Sequence, residues 1–253
     1  MRMILKEKQI ENFNKKGYLV LGNFFDNHEM VFVSNYIDNL RKNSVEAKFY
    51  ETSPINNKNI LIRIENFMTE RNLKLKNILF NDKSRECLTA LFGESPVLFK
   101  EKINYKLPGC RGDKLHQDQS AGWNKYCDFF ITMGIVVDKA RKINSALSFM
   151  NSGNYKHNLM APEWKPLSTE DPPYKPINEY SLIGADPGDV IFFDSYVPHG
   201  SPPNTSNQSR RIIFLTFNKC SKGDFRNKYY LDKFEKYKPN DILNPRKHYS
   251  YKV

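Results

Sequence analysis

The 253-residue sequence has no apolar run near the ~20 residues that a membrane span requires, and its mean hydropathy is -0.64. Its opening segment, MRMILKEKQIENF, holds no continuous apolar stretch, so no secretory signal is expected. Cysteine is scarce. Cys87, Cys110, Cys127 and Cys220 form no C-x-x-C and no framework spacing, which argues against a disulfide scaffold and for a reduced, cytoplasmic setting. Internal repeats and low-complexity linkers are absent, and the expectation is one domain over residues 1–253. Acidic residues are outnumbered: 28 Asp and Glu against 39 Lys and Arg leave a net charge of +11. Such an excess suits nucleic acid, an anionic membrane or a small anionic substrate. The basic residues form no block, and no aromatic-basic stacking motif is visible, so a small-molecule partner is favoured over nucleic acid or membrane.

What is present is a change of pattern along the chain. Residues from about Met3 to Lys16 read as a helix ended by Gly17, followed by a strand at Tyr18–Leu21. Asp26 and Glu29 have the spacing of a capping box, which predicts a second helix to about Arg41. Asn59 to Ile64 reads as a strand, and helical stretches continue to Phe92, where Gly93 stops them. From Pro96 onward strands dominate: Val97–Tyr105, Phe129–Val137, Ala146–Met150, Val190–Phe193 and Arg211–Asn218, separated by Gly/Pro turns. Helices first and then many strands predict a mainly β fold with flanking helices and a double-stranded β-helix (jelly-roll, cupin-like) core. The Pro-rich segment Pro162–Tyr180 reads as a surface loop or lid over that barrel.

Two motifs carry chemistry. His116 and Asp118 lie two apart, on one side of an expected strand, and can converge on one ion. His199 follows an apolar strand, and Arg210 comes eleven residues later. Two histidines and one carboxylate form the facial triad of non-haem Fe(II) oxygenases. An arginine one strand further on is suited to clamp the distal carboxylate of a 2-oxoacid by a bidentate contact. Asp189 and Asp194 are rival carboxylates, but Asp189 belongs to a Pro-Gly turn where Asp is common, and Asp118 is preferred. Cys110 reads as packing, His28 and His157 as solvated, and His248 has no assigned role.

On these residues the sequence resembles the phytanoyl-CoA dioxygenase family of Fe(II)/2-oxoglutarate oxygenases, from Gly17-Tyr18-Leu19-Val20-Leu21 through Asn218. The resemblance implies that His116, Asp118 and His199 bind iron and that Arg210 binds 2-oxoglutarate, with O2 as cosubstrate. Arg63–Phe67, Lys100–Gly109, His116-Gln117-Asp118, Ser221–Arg226 and Tyr229–Lys233 resemble the bacterial branch that hydroxylates 2-aminoethylphosphonate and related phosphonates. The stretch Asn144–Tyr155 departs from the family's Asn-Gly-Cys-Leu pattern. Asp118 stands where halogenating relatives have a small residue, which favours hydroxylation.

Further candidates surround this set. Ser201 and Thr132 are each either a second contact to the cosubstrate or a strand hydroxyl bonded to its neighbours. Gln117 points away from His116 on an ideal strand, and local twist would bring it to the pocket rim. For an anionic substrate, Lys102 and Asn104 share one strand face. Arg63 and Glu65 share another, or form an ordinary cross-strand ion pair. Trp123 either closes the pocket or is a partly buried surface residue. The alternative functions are hydroxylation of another small anionic or quaternary-amine metabolite, and an anion- or nucleic-acid-binding protein on the same fold.

Overall fold

Gly17 and Gly93 take left-handed φ values of 77° and 75°, and their N–H groups donate back to Phe13 O and Thr89 O. Each glycine ends a helix where a Cβ would be strained. In this computed structural model, which describes residues 4–43, 45–150, 157–161, 165–167 and 180–246, α1 (Glu7–Lys16) therefore turns directly into β1 (Tyr18–Leu21). The box at Asp26 forms as expected: Glu29 N donates to Asp26 Oδ1 (2.8 Å) and Asp26 N to Glu29 Oε2 (2.9 Å), opening α2 (Asn27–Asn43). Met30, Val33, Ile37 and Leu40 bury one stripe of that helix at near-helical spacing. α3 (Leu73–Leu79) and α4 (Asp82–Phe92) follow β2 (Ala47–Thr52) and β3 (Asn59–Glu65).

The remaining strands are β4 (Pro96–Lys106), β5 (Asp113–His116), β6 (Ile131–Val136), β7 (Ser148–Met150), β8 (Tyr180–Leu182), β9 (Val190–Asp194), β10 (His199–Ser201) and β11 (Arg210–Lys219); α5 (Arg226–Lys236) comes last. They make two antiparallel sheets, ordered β1-β9-β6-β11-β4-β3-β2 and β5-β10-β7-β8. This is the jelly-roll core with flanking helices. β2, β8, β10 and α5 are absent from the sequence-based expectation. The three strands are short or polar, whereas α5 (RNKYYLDKFEK) is amphipathic, with Tyr229, Tyr230 and Phe234 packed on one side, and was readable though not expected.

Alternation along the long strands separates two cores. Ile103 and Tyr105 of β4 and Ile213, Leu215 and Phe217 of β11 face the helices and pack with Val33, Ile37, Leu79 and Leu88. Ile212 and Phe214 face the smaller sheet and pack with Val136, Phe193, Leu147 and Phe149. The register pairs Ile212 with Asn104 and Phe214 with Lys102, so the even-numbered residues of β4, Lys100 to Lys106, also turn inward. No helix among the described residues is long and apolar enough to cross a membrane. The expected lid at Pro162–Tyr180 lies outside the described residues apart from 165–167 and Tyr180, as does His248.

Candidate metal centre and active site

Two backbone carbonyls set the state of the histidines. His116 Nδ1 lies 2.6 Å from Lys114 O, and His199 Nδ1 lies 2.9 Å from Val197 O. A carbonyl only accepts, so each ring donates from Nδ1 and turns its Nε2 toward the site. His116 ends β5 and His199 begins β10; the two are cross-strand partners with ring centroids 4.3 Å apart. Asp118 is not on the strand. It opens a 3-10 turn, Asp118–Ala121, held by Gln119 N donating to Ser195 O. The turn brings Asp118 Oδ1 to 3.6 Å from His116 Nε2, and Oδ2 to 4.0 Å from His199 Nε2. All three ligand atoms lie within 4.8 Å of one another, the only such group among the described residues.

The electrostatics fit a divalent cation. Burial, and then the neighbouring His116, push the His199 imidazole down to about 4, so it stays neutral. Burial alone would raise the Asp118 carboxyl, but contact with His116 and the Lys102 charge outweigh it and hold the group well below its ordinary value. Asp118 Oδ1 is buried without a hydrogen-bond donor among the described residues. Two imidazole nitrogens and one carboxylate, with an orphaned buried oxygen, make the donor set of a non-haem Fe(II) site.

A small cavity of about 30 Å³ adjoins these ligands, lined among others by Arg63, Lys102, Asn104, Asp113, Phe193 and Phe214. Toward the Lys106 end of β4 stands Arg210, fully buried. Its Nε and Nη2 donate to Ser145 O (2.9 and 2.6 Å), and Nη1 has no acceptor among the described residues. Burial lowers its pKa only to about 10, so it remains a cation at neutral pH. Ser201 Oγ lies 3.2 Å from Ser145 Oγ and donates to Asp113 Oδ2 (3.3 Å), which places Ser201 near Arg210 through Ser145. Asp113, Ser145 and Lys106, whose Nζ is 2.9 Å from Asp113 Oδ2, complete that corner and were not singled out from the sequence.

Other residues sit elsewhere. Thr132 Oγ1 is bonded to Thr216 Oγ1 (2.9 Å) within the large sheet and does not line the cavity, the strand-hydroxyl alternative. The Gln117 amide is used up as a brace: Nε2 donates to Asn158 O and Tyr196 O, and Oε1 accepts from Met160 N. Trp123 is neither surface nor cavity wall; it packs at 1% exposure against Phe99 and Phe130. Arg63 and Glu65 pair at 3.1 Å along one strand rather than across two, and Glu65 also binds Lys233 of α5 at 2.6 Å. Lys233 closes the Tyr229–Lys233 motif noted in the sequence, but its pairing with Glu65, 168 residues away, had no local signal. Asp189 and Asp194 accept backbone N–H groups in turns. Cys110 is buried with its thiol on Tyr105 O. His28 is exposed, while His157, half exposed, has Nδ1 3.5 Å from Asp194 Oδ2.

The comparisons with known proteins agree with this geometry. The family model described as phytanoyl-CoA dioxygenase matches residues 13–212. A 2-aminoethylphosphonate dioxygenase from an uncultured bacterium is 36% identical over 192 residues, 76% of this chain and 72% of that protein. A methylphosphonate hydroxylase from Gimesia maris is 30% identical over 237 residues, 92% and 88% of the two chains. Among solved structures, EctD from S. alaskensis with 2-oxoglutarate and 5-hydroxyectoine superposes with a TM-score of 0.68 at 20% identity, covering 86% of this chain and 77% of that one, and so shares the fold. The chain thus belongs to the phytanoyl-CoA dioxygenase family and is a 2-oxoglutarate-dependent, non-haem iron dioxygenase.

Proposed function

We propose that the enzyme hydroxylates a small organophosphonate at the carbon bearing phosphorus, a step that would open oxidative phosphonate catabolism. His116, Asp118 and His199 hold Fe(II), and Arg210 holds the distal carboxylate of 2-oxoglutarate, with Ser201 beside it. Bound iron supplies the redox chemistry that couples O2 and 2-oxoglutarate to hydroxylation, leaving succinate, CO2 and the 1-hydroxyphosphonate. The protein's own residues bind, orient and exclude water. The backbone carbonyls at Lys114 and Val197 fix both imidazoles, and Arg210 presents the bare Nη1 to the oxoacid.

One observation carries the substrate class: Lys102 lines the cavity beside Asp118 and makes no hydrogen bond or ion pair among the described residues. A phosphonate anchored there places its adjacent C–H toward the metal, so the anchor selects the carbon. The names of the two relatives support the same class. The basic excess also fits a small anion better than nucleic acid, because Arg63, Lys100, Lys102, Lys106 and Arg210 are all buried. The four free cysteines support a reducing, cytoplasmic setting. The test is oxygen- and 2-oxoglutarate-dependent turnover of methyl-, aminoethyl- and trimethylaminoethylphosphonate, followed by phosphorus NMR. A 1-hydroxy product is expected from at least one. If none yields that product or stimulates succinate formation, the substrate class falls.

A further inference from the structure

Lys100 is the least explained residue of the inner face. It is 1% exposed, and its Nζ has no hydrogen-bond acceptor among the described residues. Its Nζ instead lies over aromatic rings, 4.5 Å from the Trp123 ring centroid and 5.5 Å from that of Tyr229. A buried ammonium without an acceptor is costly, by several kcal/mol. The nearby carboxylates do not relieve it. Glu65 is occupied by Arg63 and Lys233, and Asp118 belongs to the metal set. Burial, Lys102 and Lys233 accordingly push the Lys100 amine well below its ordinary value. Lys102 lies two residues along the same strand face, at the wall of the cavity that Lys100 backs, with its Nζ 5.2 Å from the Phe214 ring centroid and no hydrogen bond or ion pair among the described residues.

We propose that Lys100 and Lys102 form a paired cradle for a dianionic –PO3 group, in which Lys100 is the residue that distinguishes a dianion from a monoanion. This deepens the phosphonate reading above and rests on it. Residues two apart on a strand stand about 6.6 Å apart. Two ammonium groups at that spacing can each donate, at about 2.8 Å, to different oxygens of one tetrahedral group. Lys102 meets one negative charge, and the second charge of a dianion favours the protonated form of Lys100; a carboxylate or a phosphonate monoester supplies only one charge. On binding, Lys100 exchanges its aromatic contacts for a phosphonate oxygen, and the movement leaves Trp123.

That movement gives a readout separate from turnover. The sequence has two tryptophans, Trp123 and Trp164, so a Trp164→Phe background isolates the ring beneath Lys100. In the anaerobic Fe(II)/2-oxoglutarate holoenzyme, the probes are methylphosphonate, inorganic phosphate and the monomethyl ester of methylphosphonate. The two dianions should change Trp123 emission saturably, and Lys100→Met should weaken their binding about thirty-fold or more, as for loss of one buried charged partner. The ester should bind weakly before and after the substitution. Iron content and the Michaelis constant for 2-oxoglutarate should not move. Lys100→Gln, which keeps a polar end, repeats the test should the methionine variant fold poorly. Dianion affinity within three-fold of the parent in both variants, an equal loss for dianion and ester, or no binding of any probe by the parent overturns the cradle. If the dianions bind in a Lys100-dependent way and yet no phosphonate stimulates 2-oxoglutarate consumption, the cradle stands and the substrate assignment fails.

Discussion

The two faces of β4 and β11 differ more sharply than any other pair of surfaces in the protein. The face toward the helices carries Ile103, Tyr105, Ile213, Leu215 and Phe217 in one continuous core. Its charged member, Glu101, is tied to Arg226 and to Met68 N. The face toward the smaller sheet carries Lys100, Lys102, Asn104 and Lys106, with Arg210 and Thr216 across from them. Both faces are largely buried, so burial alone does not separate structure from function here. Satisfaction does. Charges on the outer face are paired, whereas unpaired polar atoms gather on the inner one: Lys100 Nζ, Asn104 Oδ1 and Arg210 Nη1, with Asp118 Oδ1 facing them. A sheet buried on both sides can be stabilised by one face and leave the other to bind anions and metal.

The strongest way to break this contrast is at the ligands opposite the inner face. His116→Ala, Asp118→Ala and His199→Ala should each lose iron and activity while circular dichroism remains that of the parent, because each removes one of three donors and the described residues offer no fourth. Retention of stoichiometric Fe(II) by the Asp118→Ala protein, with full turnover, would refute the assignment of that carboxylate. The outer face should respond in the opposite sense. Leu215→Ala is expected to cost about 2–5 kcal/mol by denaturant unfolding, as for other large-to-small core changes, with turnover per folded molecule retained.

Arg210 and Arg211 test the contrast within one dipeptide. Arg211 faces outward and pairs with Asp138 at 2.7 Å and Asp38 at 3.0 Å, whereas Arg210 faces inward. Arg210→Lys keeps the charge but loses the planar fork, and should raise the Michaelis constant for 2-oxoglutarate about tenfold or more with iron binding intact. Arg211→Ala should lower stability and leave that constant unchanged. The reverse result would mean that the register of β11 is shifted by one.

Lys102→Met sharpens the comparison along the inner face. It should weaken phosphonate turnover far more than it weakens uncoupled 2-oxoglutarate decarboxylation, measured as succinate with and without substrate. Equal loss of both would make Lys102 a contact to the oxoacid.

The smallest effect concerns pH. Burial raises the Glu65 carboxyl, but the Lys233 and Arg63 charges prevail and hold it at about 2, below its ordinary value of 4.5. The unfolded chain therefore binds the proton first as pH falls. The stability from Glu65 is complete above about pH 4.5 and drains away as pH approaches 2. Urea unfolding between pH 6 and 3 should show a flatter acid limb for Glu65→Gln than for the parent. A parallel offset at every pH would instead assign the effect to packing.

Much of this was legible in the sequence because it is local. The helix ends at Gly17 and Gly93, the Asp26–Glu29 box and the alternation of β4 and β11 depend on neighbours within a few residues, and period-two spacing alone places Lys102 with Asn104 and Arg210 opposite to Arg211. The metal residues were legible for a related reason: few residue types bind iron, and their spacing survives in the chain. Closure was not. Asp118 reaches the histidines from a 3-10 turn instead of a strand, Gln117 and Thr132 are consumed by backbone and sheet partners, and Trp123 is drawn into an aromatic core. Lys233 meets Glu65 across 168 residues, and Lys100 is left without an acceptor only because every nearby carboxylate is already committed. Side-chain direction follows from local backbone geometry, but whether a buried charge has a partner depends on every element packed around it, and that the tertiary structure alone decided.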